Sequence, residues 1–181
     1  MSSDKTRAIE NKSERRNAAN EEARLAALYS YQILDTPPEP AFDALTRLAA
    51  HLCATPVAVM SLVDRERQWF KSKVGWHVSE IPREVGVFCA QTLLQPDFFV
   101  VSDAYADERF ARTPLVARAP HARFYAGVPL VTPEGYALGT LCVIDQVVRR
   151  LNSEQVDALC TLGREAMLLL DAWRKSTSAA R

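Results

Sequence analysis

The stretch from Arg123 to Asp145, RFYAGVPLVTPEGYALGTLCVID, constrains the fold more than any other part of this 181-residue chain. Two apolar runs flank Thr132-Pro133-Glu134-Gly135, where proline at the second position and glycine at the fourth are typical of a type I turn. The stretch therefore predicts a β-hairpin. Neither face of this hairpin is polar, whereas a hairpin with one wet face alternates apolar and polar residues. We expect both of its faces to be covered.

Two glycines, Gly127 and Gly139, lie inside the predicted strands. Glycine weakens a strand and often marks the close approach of another backbone or of a ligand. One interpretation is a packed helix or a β-bulge, and the other is the floor of a ligand pocket. The sequence leaves both interpretations open.

Overall charge and hydropathy exclude several classes of partner. Lys plus Arg number 22 and Asp plus Glu number 22, so no net field attracts nucleic acid or an anionic membrane. No apolar stretch resembles a signal peptide or approaches the roughly 20 residues that a membrane-spanning helix needs. We therefore expect a cytoplasmic protein.

The cysteines and histidines give no metal-binding pattern. No C-x-x-C pair occurs, so buried free thiols are expected rather than a zinc site, at Cys53, Cys89, Cys142 and Cys160. The three histidines are isolated from one another and are predicted to be exposed or to cap loops: His51, His77 and His121.

The N-terminal part predicts a tail followed by two helices. Residues 1–20 carry mixed charge and few large apolar groups, so we expect a tail that is mobile or only marginally helical. A short amphipathic helix should follow from Glu21, and a second helix should run from about Glu39 to Thr55-Pro56. The apolar face of the second helix is predicted to consist of Phe42, Leu45, Leu48, Ala49 and Leu52.

Strands and irregular segments follow these helices. Val57 to Val63 predicts a strand that is apolar on both faces, and Gln68 to Val74 predicts a second strand. Because Lys71 and Lys73 would discourage edge pairing, we place this second strand toward an edge of the sheet. The remainder before the hairpin begins with a loop over 76–87 and a segment over 88–94 that is either a short helix, which we favour, or a strand. A strand over 98–101 and an irregular segment up to Pro120 follow.

The C-terminal part predicts a long helix, for which Asn152 or Ser153 is the cap and Gln155 completes a near capping box. Two apolar stripes run along it: Val156, Cys160, Gly163, Met167 and Leu170, and beside them Leu159, Leu162, Ala166, Leu169 and Trp173. A helix that packs only on a sheet needs one such stripe. The second stripe should be covered either by the Glu21 helix or by a second copy of the chain. Residues 175–181 form a polar tail.

The order of elements is helix, helix, hairpin, irregular segment, hairpin, helix, and it contains a series of short blocks. They are Tyr31-x-Ile33-Leu34-Asp35-Thr36, Phe42-Asp43-x-Leu45-Thr46, Ser61-Leu62-Val63-Asp64, Arg67-Gln68-Trp69-Phe70-Lys71-Ser72, Pro82-Arg83, Phe88-Cys89-Ala90, Val101-x-Asp103-Ala104, Asp107-x-Arg109-Phe110, Arg123-Phe124-Tyr125-Ala126-Gly127-x-Pro129-Leu130 and Leu138-Gly139-Thr140-Leu141-Cys142-Val143-x-Asp145. This series resembles the GAF domain, the small-molecule sensor module of many bacterial signalling proteins. It looks like the sensory type found upstream of histidine kinases and diguanylate cyclases.

The resemblance implies one α+β domain over residues 21–174, between the two tails. Its central antiparallel sheet would have the terminal helices on one face and an irregular, pocket-forming segment on the other. The resemblance also implies homodimerisation through the terminal helices. Because no output domain is recognisable, we expect either action on a signalling partner in trans or a role as an interaction module.

Three GAF subclasses with defined chemistry match this chain poorly. Asp107 and Glu108 repeat only part of the signature of cyclic-nucleotide-binding GAF domains, whose Asn-Lys element is missing. Cys89 is followed by Ala90 rather than by the histidine typical of bilin attachment. A free methionine sulfoxide reductase needs two cysteines in its pocket, and Cys89 with Cys142 would have to converge there.

The predicted function is a non-enzymatic sensory or regulatory domain whose ligand and cofactor are unknown. The alternatives are a protein-interaction module without a ligand and a free methionine sulfoxide reductase-type enzyme. Aromatic walls with a few polar groups suit a small planar or amphipathic ligand, although the same aromatic residues would also fill a dry core. The predicted ligand-binding residues are Trp69, Phe70, Phe88, Cys89, Gln91, Asp103, Phe110, Phe124, Tyr125, Gly127, Thr140 and Cys142.

Overall fold

A six-stranded antiparallel sheet forms the centre of the computed structural model, which describes residues 20–179. Its strands are β1 (Val57–Val63), β2 (Arg67–Val74), β3 (Glu80–Pro82), β4 (Phe99–Val101), β5 (Phe124–Val131) and β6 (Ala137–Asp145). They lie side by side in the order β3-β2-β1-β6-β5-β4. The two long hairpins, β1–β2 and β5–β6, therefore meet along β1 and β6 at the middle of the sheet.

The predicted hairpin at Arg123 to Asp145 is confirmed as β5–β6. The Gly135 N–H donates to the Thr132 carbonyl at 2.9 Å, which closes the four-residue turn. Gly135 has a φ of +92°, a backbone conformation that favours glycine. Strand β6 pairs with β5 on one side and with β1 on the other, so its backbone groups are satisfied in the interior of the sheet.

Helices cover the sheet on both faces. They are α1 (20–30), α2 (Pro40–Leu52), α3 (Val87–Thr92), α4 (Pro114–Ala117) and α5 (Ser153–Ala179). The predicted capping box begins α5, since the Asn152 N–H donates to Gln155 Oε1 at 3.1 Å and the Gln155 N–H donates to Asn152 Oδ1 at 2.8 Å. No helix within residues 20–179 is long and apolar enough to cross a membrane. The mobile tail predicted for residues 1–20 lies outside this range, except for residue 20, which is helical.

Alternation along the strands divides the interior into two hydrophobic cores. Met60 and Leu62 of β1 pack beneath α2 and α5, whereas Val59 and Val63 of the same strand face α3 and the irregular segment. Both faces of the central strands are therefore buried, as the absence of a polar face predicted. The sheet thus separates a helical side from a side formed by loops and short helices.

The apolar face predicted for α2 is partly wrong. Leu48 and Leu52 are 42% and 40% exposed, whereas Phe42 and Ala49 are buried. Thr46 is also buried, because its hydroxyl donates to the Phe42 carbonyl at 3.0 Å and so needs no water. The inward face of α2 therefore includes Thr46 and leaves the two leucines toward solvent.

A helix that we did not predict in this place packs beside α5. α5 contacts β5 and β6 of the sheet and also α2, so α2 covers part of its second face. The chain just after α1 is also joined to α5. The Trp173 Nε1–H donates to the Tyr31 carbonyl at 3.0 Å, and the Tyr31 hydroxyl donates to Asp171 at 2.6 Å.

The reason given for placing β2 toward an edge is wrong for Lys71. Strand β2 lies one strand in from the edge, which is formed by β3. The Lys71 side chain is 0% exposed, and its Nζ lies 2.9 Å from Glu39 Oε1. It also donates to Thr36 Oγ1 and to the Pro37 carbonyl, each at 2.8 Å. This lysine is therefore a buried link between the sheet and the segment before α2.

Candidate functional site

A small cavity of about 20 Å³ lies on the loop side of the sheet, next to α3. This volume is about what one water molecule requires. Its walls come from strands β1, β2, β3 and β6, from Tyr125 of β5, from α3 and from α4. The lining residues are Val59, Ser61, Gln68, Phe70, Trp76, Ile81, Gly86, Phe88, Cys89, Leu115, Tyr125, Cys142 and Ile144.

Three stacked aromatic rings fill the space beside this cavity. The Phe88 ring lies 5.0 Å from the Tyr125 ring and 4.5 Å from the Phe110 ring, with interplanar angles of 12° and 18°. Gly127 makes room for this stack, because a Cβ there would lie 2.5 Å from the Tyr125 hydroxyl. Part of the predicted aromatic pocket is thus occupied by the aromatic side chains themselves.

The thiol of Cys89 is surrounded by hydroxyl groups. Its Sγ accepts hydrogen bonds from Thr140 Oγ1 at 3.3 Å and from the Tyr125 hydroxyl at 3.6 Å. Ser61 Oγ donates a longer one of 3.8 Å. A hydrogen bond from the neighbouring Cys142 thiol, together with these hydroxyls, lowers the pKa of Cys89 although burial opposes the shift. The same contact with Cys89 raises the pKa of Cys142.

A surface groove of about 340 Å³ adjoins the cavity. The side chains of Trp76, Ile81 and Leu115 line both spaces and form the wall between them. The Trp76 Nε1–H is buried and has no hydrogen-bond acceptor within residues 20–179. A buried donor without a partner costs free energy, and an acceptor on a bound molecule would remove that cost.

Most of the predicted ligand-binding residues meet on this side of the sheet. Phe70, Phe88, Cys89, Tyr125 and Cys142 line the cavity. Three others lie directly behind them, as described above: Phe110, Gly127 and Thr140.

The remaining predicted residues lie elsewhere. Trp69 and Phe124 belong to the core on the helical side, because neighbours in a strand point to opposite faces and Phe70 and Tyr125 face the cavity. Gln91 lies on α3 outside the cavity lining. Asp103 is held by the Arg123 guanidinium at 2.8 Å, which lowers the pKa of its carboxyl group.

Sequence reasoning missed several lining residues. The clearest are Ser61 and Gln68, which are buried polar side chains on two neighbouring strands. Gln68 Nε2 donates to the Gly86 carbonyl at 2.6 Å and so fixes the loop before α3. The alternation of β1 was the available signal, because Ser61 interrupts an otherwise apolar strand on the face that Val59 shares.

The described part of the chain holds no candidate metal site. Within residues 20–179, no group of three or more His, Cys, Asp or Glu side chains is arranged to bind an ion. The four cysteines are free thiols, of which Cys53, Cys89 and Cys142 are buried and Cys160 is half-buried.

Comparison with known proteins agrees with this architecture. Residues 37–170 match the family model of the GAF domain. A cyclic di-GMP phosphodiesterase of Pseudomonas aeruginosa is 38% identical over 130 residues, which is 72% of this chain and 22% of that protein. The chain thus spans about a fifth of the length of this relative.

Solved structures share the fold at low identity. The GAF domain of an Acinetobacter phosphoenolpyruvate-protein phosphotransferase superposes with a TM-score of 0.63 at 14% identity, covering 86% of this chain and 98% of that one. The free methionine-R-sulfoxide reductase of Neisseria meningitidis gives 0.59 at 21% identity, covering 81% and 86%. At these identities the superpositions show the fold alone. With the family match, the sheet topology and the two-sided burial, the chain belongs to the GAF domain family.

Proposed function

We propose that this GAF domain is a non-enzymatic sensory or regulatory module that binds a small molecule in the groove and cavity beside α3. The observation that carries the proposal is the Trp76 Nε1–H, a buried and unpaired donor in the wall between the two spaces. Proteins satisfy nearly all buried polar groups, so an exception at a concave surface points to an absent acceptor.

The dimensions of the two spaces restrict the ligand. The groove, at about 340 Å³, falls at the lower end of the range for small-molecule sites, whereas the cavity of about 20 Å³ admits only a small substituent. Apolar side chains dominate the lining, including Val78, Ile81 and Pro120. These features favour a small amphipathic molecule that lies in the groove and offers an acceptor to Trp76.

Strand β2 offers a route from this site to the terminal helices. Phe70 lines the cavity, while the next residue, Lys71, points to the opposite face. The Lys71 ammonium lies 5.0 Å from the ring centroid of Trp173 on α5. A ligand that displaces Phe70 would therefore shift the contact between Lys71 and the C-terminal helix. Such coupling requires two conformations of the protein that differ in the position of the C-terminal helix, and a ligand that binds one of them more tightly than the other.

Native mass spectrometry on freshly purified protein is expected to detect a bound small molecule, which an absorbance spectrum would help to classify. With that molecule as the ligand, Trp76→Phe should weaken binding about fivefold, because it removes one neutral hydrogen bond and keeps the apolar ring. Trp69→Phe is the matched control, since it makes the same chemical change on the helical side of the sheet. Titration calorimetry would measure both affinities.

Two results would contradict the sensory proposal. Protein that carries no small molecule and binds none from a metabolite mixture would favour the interaction module instead. Equal losses of affinity in Trp76→Phe and Trp69→Phe would show that the groove is not the binding site.

The output of this module is also a proposal. The 38% identity to a protein named as a cyclic di-GMP phosphodiesterase supports a role in controlling cyclic di-GMP turnover, through a signalling partner in trans or a linked domain. Free thiols are typical of a reducing compartment, which supports action in the cytoplasm.

Homodimerisation through the helical layer is proposed from exposed leucines. Leu168 on α5 is 61% exposed, and Leu48 on α2 is 42% exposed. Exposed apolar side chains on helices that already pack together are candidates for an interface. We expect Leu168→Glu to convert a dimer into a monomer in sedimentation velocity, whereas Val148→Glu, at a loop position that is 50% exposed, should leave the dimer intact. A wild-type monomer at high micromolar concentration would refute the dimer.

A further inference from the structure

The two cysteines beside the cavity form an unusual pair for a buried core. Cys89 comes from α3 and Cys142 from the central strand β6, so their proximity is created by the fold. Buried thiols normally pack among apolar groups and remain inert. Here the Cys89 sulfur accepts hydrogen bonds from three hydroxyls, as described above, and its neighbour is a second thiol.

This environment favours reaction at Cys89. The thiolate is the nucleophilic form of cysteine, and hydrogen bonds donated to sulfur stabilise it. Cys53 is the natural comparison, because no hydroxyl within residues 20–179 donates to its buried sulfur and burial raises its pKa to about 11. The two residues should therefore differ strongly in reactivity although both are buried.

The cavity admits a small oxidant to this pair. Both cysteines line it, and its volume of about 20 Å³ accommodates a molecule the size of water or hydrogen peroxide. The wall that separates it from the surface groove consists of the side chains of Trp76, Ile81 and Leu115. Free methionine sulfoxide is far too large for a cavity of about 20 Å³.

We propose that Cys89 and Cys142 are a peroxide-reactive dithiol that forms an intramolecular disulfide. In the first step the Cys89 thiolate attacks one oxygen of hydrogen peroxide, the O–O bond breaks, and the leaving hydroxide takes a proton to become water. Cys89 is then a sulfenic acid. In the second step the Cys142 sulfur attacks the Cys89 sulfur, the S–O bond breaks, and the departing hydroxide takes the Cys142 proton. Two thiols and one peroxide thus yield one disulfide and two waters.

The disulfide would connect the segment that covers the site to the centre of the sheet. α3 carries Cys89 together with Phe88, the middle ring of the aromatic stack. Fixing α3 to β6 would hold this stack in place and restrict any opening of the cavity. The reaction is independent of the proposed small-molecule ligand, so the failure of one proposal leaves the other standing.

The test treats the full chain with hydrogen peroxide under native conditions and then blocks the remaining thiols with N-ethylmaleimide. Peptide mapping by mass spectrometry is expected to find one intramolecular crosslink, between Cys89 and Cys142, while Cys53 and Cys160 are alkylated. Cys142→Ser should stop at the Cys89 sulfenic acid, which dimedone traps. Cys53→Ser is the matched control and should still form the crosslink at the wild-type rate.

Several outcomes would overturn the proposal. One is alkylation of Cys89 after peroxide treatment at the same rate as in untreated protein. Another is oxidation of the half-buried Cys160 that is faster than oxidation of Cys89. A crosslink that forms only in denaturant would show that the folded site does not react. Faster crosslinking by free methionine sulfoxide than by peroxide would instead assign the pair to reductase chemistry. The wild-type map decides the question even if a cysteine variant fails to fold.

Discussion

Replacing Lys71 with methionine is expected to lower the free energy of unfolding by about 3 kcal/mol. The Lys71 side chain is fully buried and bonds to Glu39, Thr36 and Pro37. Methionine keeps the length of the side chain but leaves the Glu39 carboxylate and two oxygen acceptors without their donor. We place the effect at the lower end of the range for broken buried pairs because the Glu39 side chain is still 32% exposed to water. Urea unfolding with linear extrapolation would measure it.

Lys73→Met is the matched control for this prediction. Lys73 lies two residues further along the same strand, but the β-bulge at Lys71 places Lys73 opposite Val59, on the loop side of the sheet. Within residues 20–179 its ammonium donates to the Val78 carbonyl at an exposed position and forms no buried ion pair. Its replacement should change stability by less than about 0.5 kcal/mol. Equal effects of the two substitutions would show that the buried charge and hydrogen bonds of Lys71 add no more to the stability of the protein than those of the exposed Lys73.

Gly139→Ala is expected to be more damaging, with a loss of more than about 4 kcal/mol. A Cβ at this position would lie 1.9 Å from the Ser61 carbonyl oxygen and 2.8 Å from the Leu62 Cα. Both atoms belong to the backbone of β1, which is paired on one side with β2 and on the other with β6. Because β1 is held on both sides, it cannot move away as a flexible side chain would. Circular dichroism and thermal unfolding should show a loss of the cooperative transition.

Gly135→Ala separates this steric effect from the general cost of replacing a strand or turn glycine. Apart from Gly135 and its two chain neighbours, no atom of the described residues lies within 4 Å of a Cβ at this position, but the φ of +92° disfavours alanine. We therefore expect a loss of about 1 kcal/mol, from backbone strain alone. A Gly139→Ala variant as stable as Gly135→Ala would mean that β1 and β6 are further apart than described.

The close approach at Gly139 also answers a question that the sequence left open. The glycine allows contact between two central strands rather than forming the floor of a ligand pocket. Gly127 instead provides space for the Tyr125 ring, which brings the Tyr125 hydroxyl to Cys89. Glycine in a strand indicated close packing in both cases, but only the structure identifies the neighbouring atoms.

Where local chemistry decides the outcome, the sequence was sufficient. Proline and glycine at set positions determined the β5–β6 turn, Asn152 and Gln155 determined the start of α5, and apolar runs on both strand faces predicted a sheet covered on both sides. The family resemblance predicted how the elements are arranged around the sheet, which periodicity alone does not predict. These features depend on residues that are close along the chain.

Long-range packing decided the rest. The partner of Lys71, the inward face of α2, and the helix beside α5 all depend on residues from distant elements. Alternation along a strand predicts that Trp69 and Phe70 lie on opposite faces of the sheet, and likewise Phe124 and Tyr125. It does not predict which of the two faces holds the cavity. The environment of Cys89 is the clearest case. Phe-Cys-Ala reads as an inert apolar segment. Only folding brings Ser61 of β1 and both Thr140 and Cys142 of β6 to the sulfur of Cys89, because α3 and these two strands are distant in the sequence.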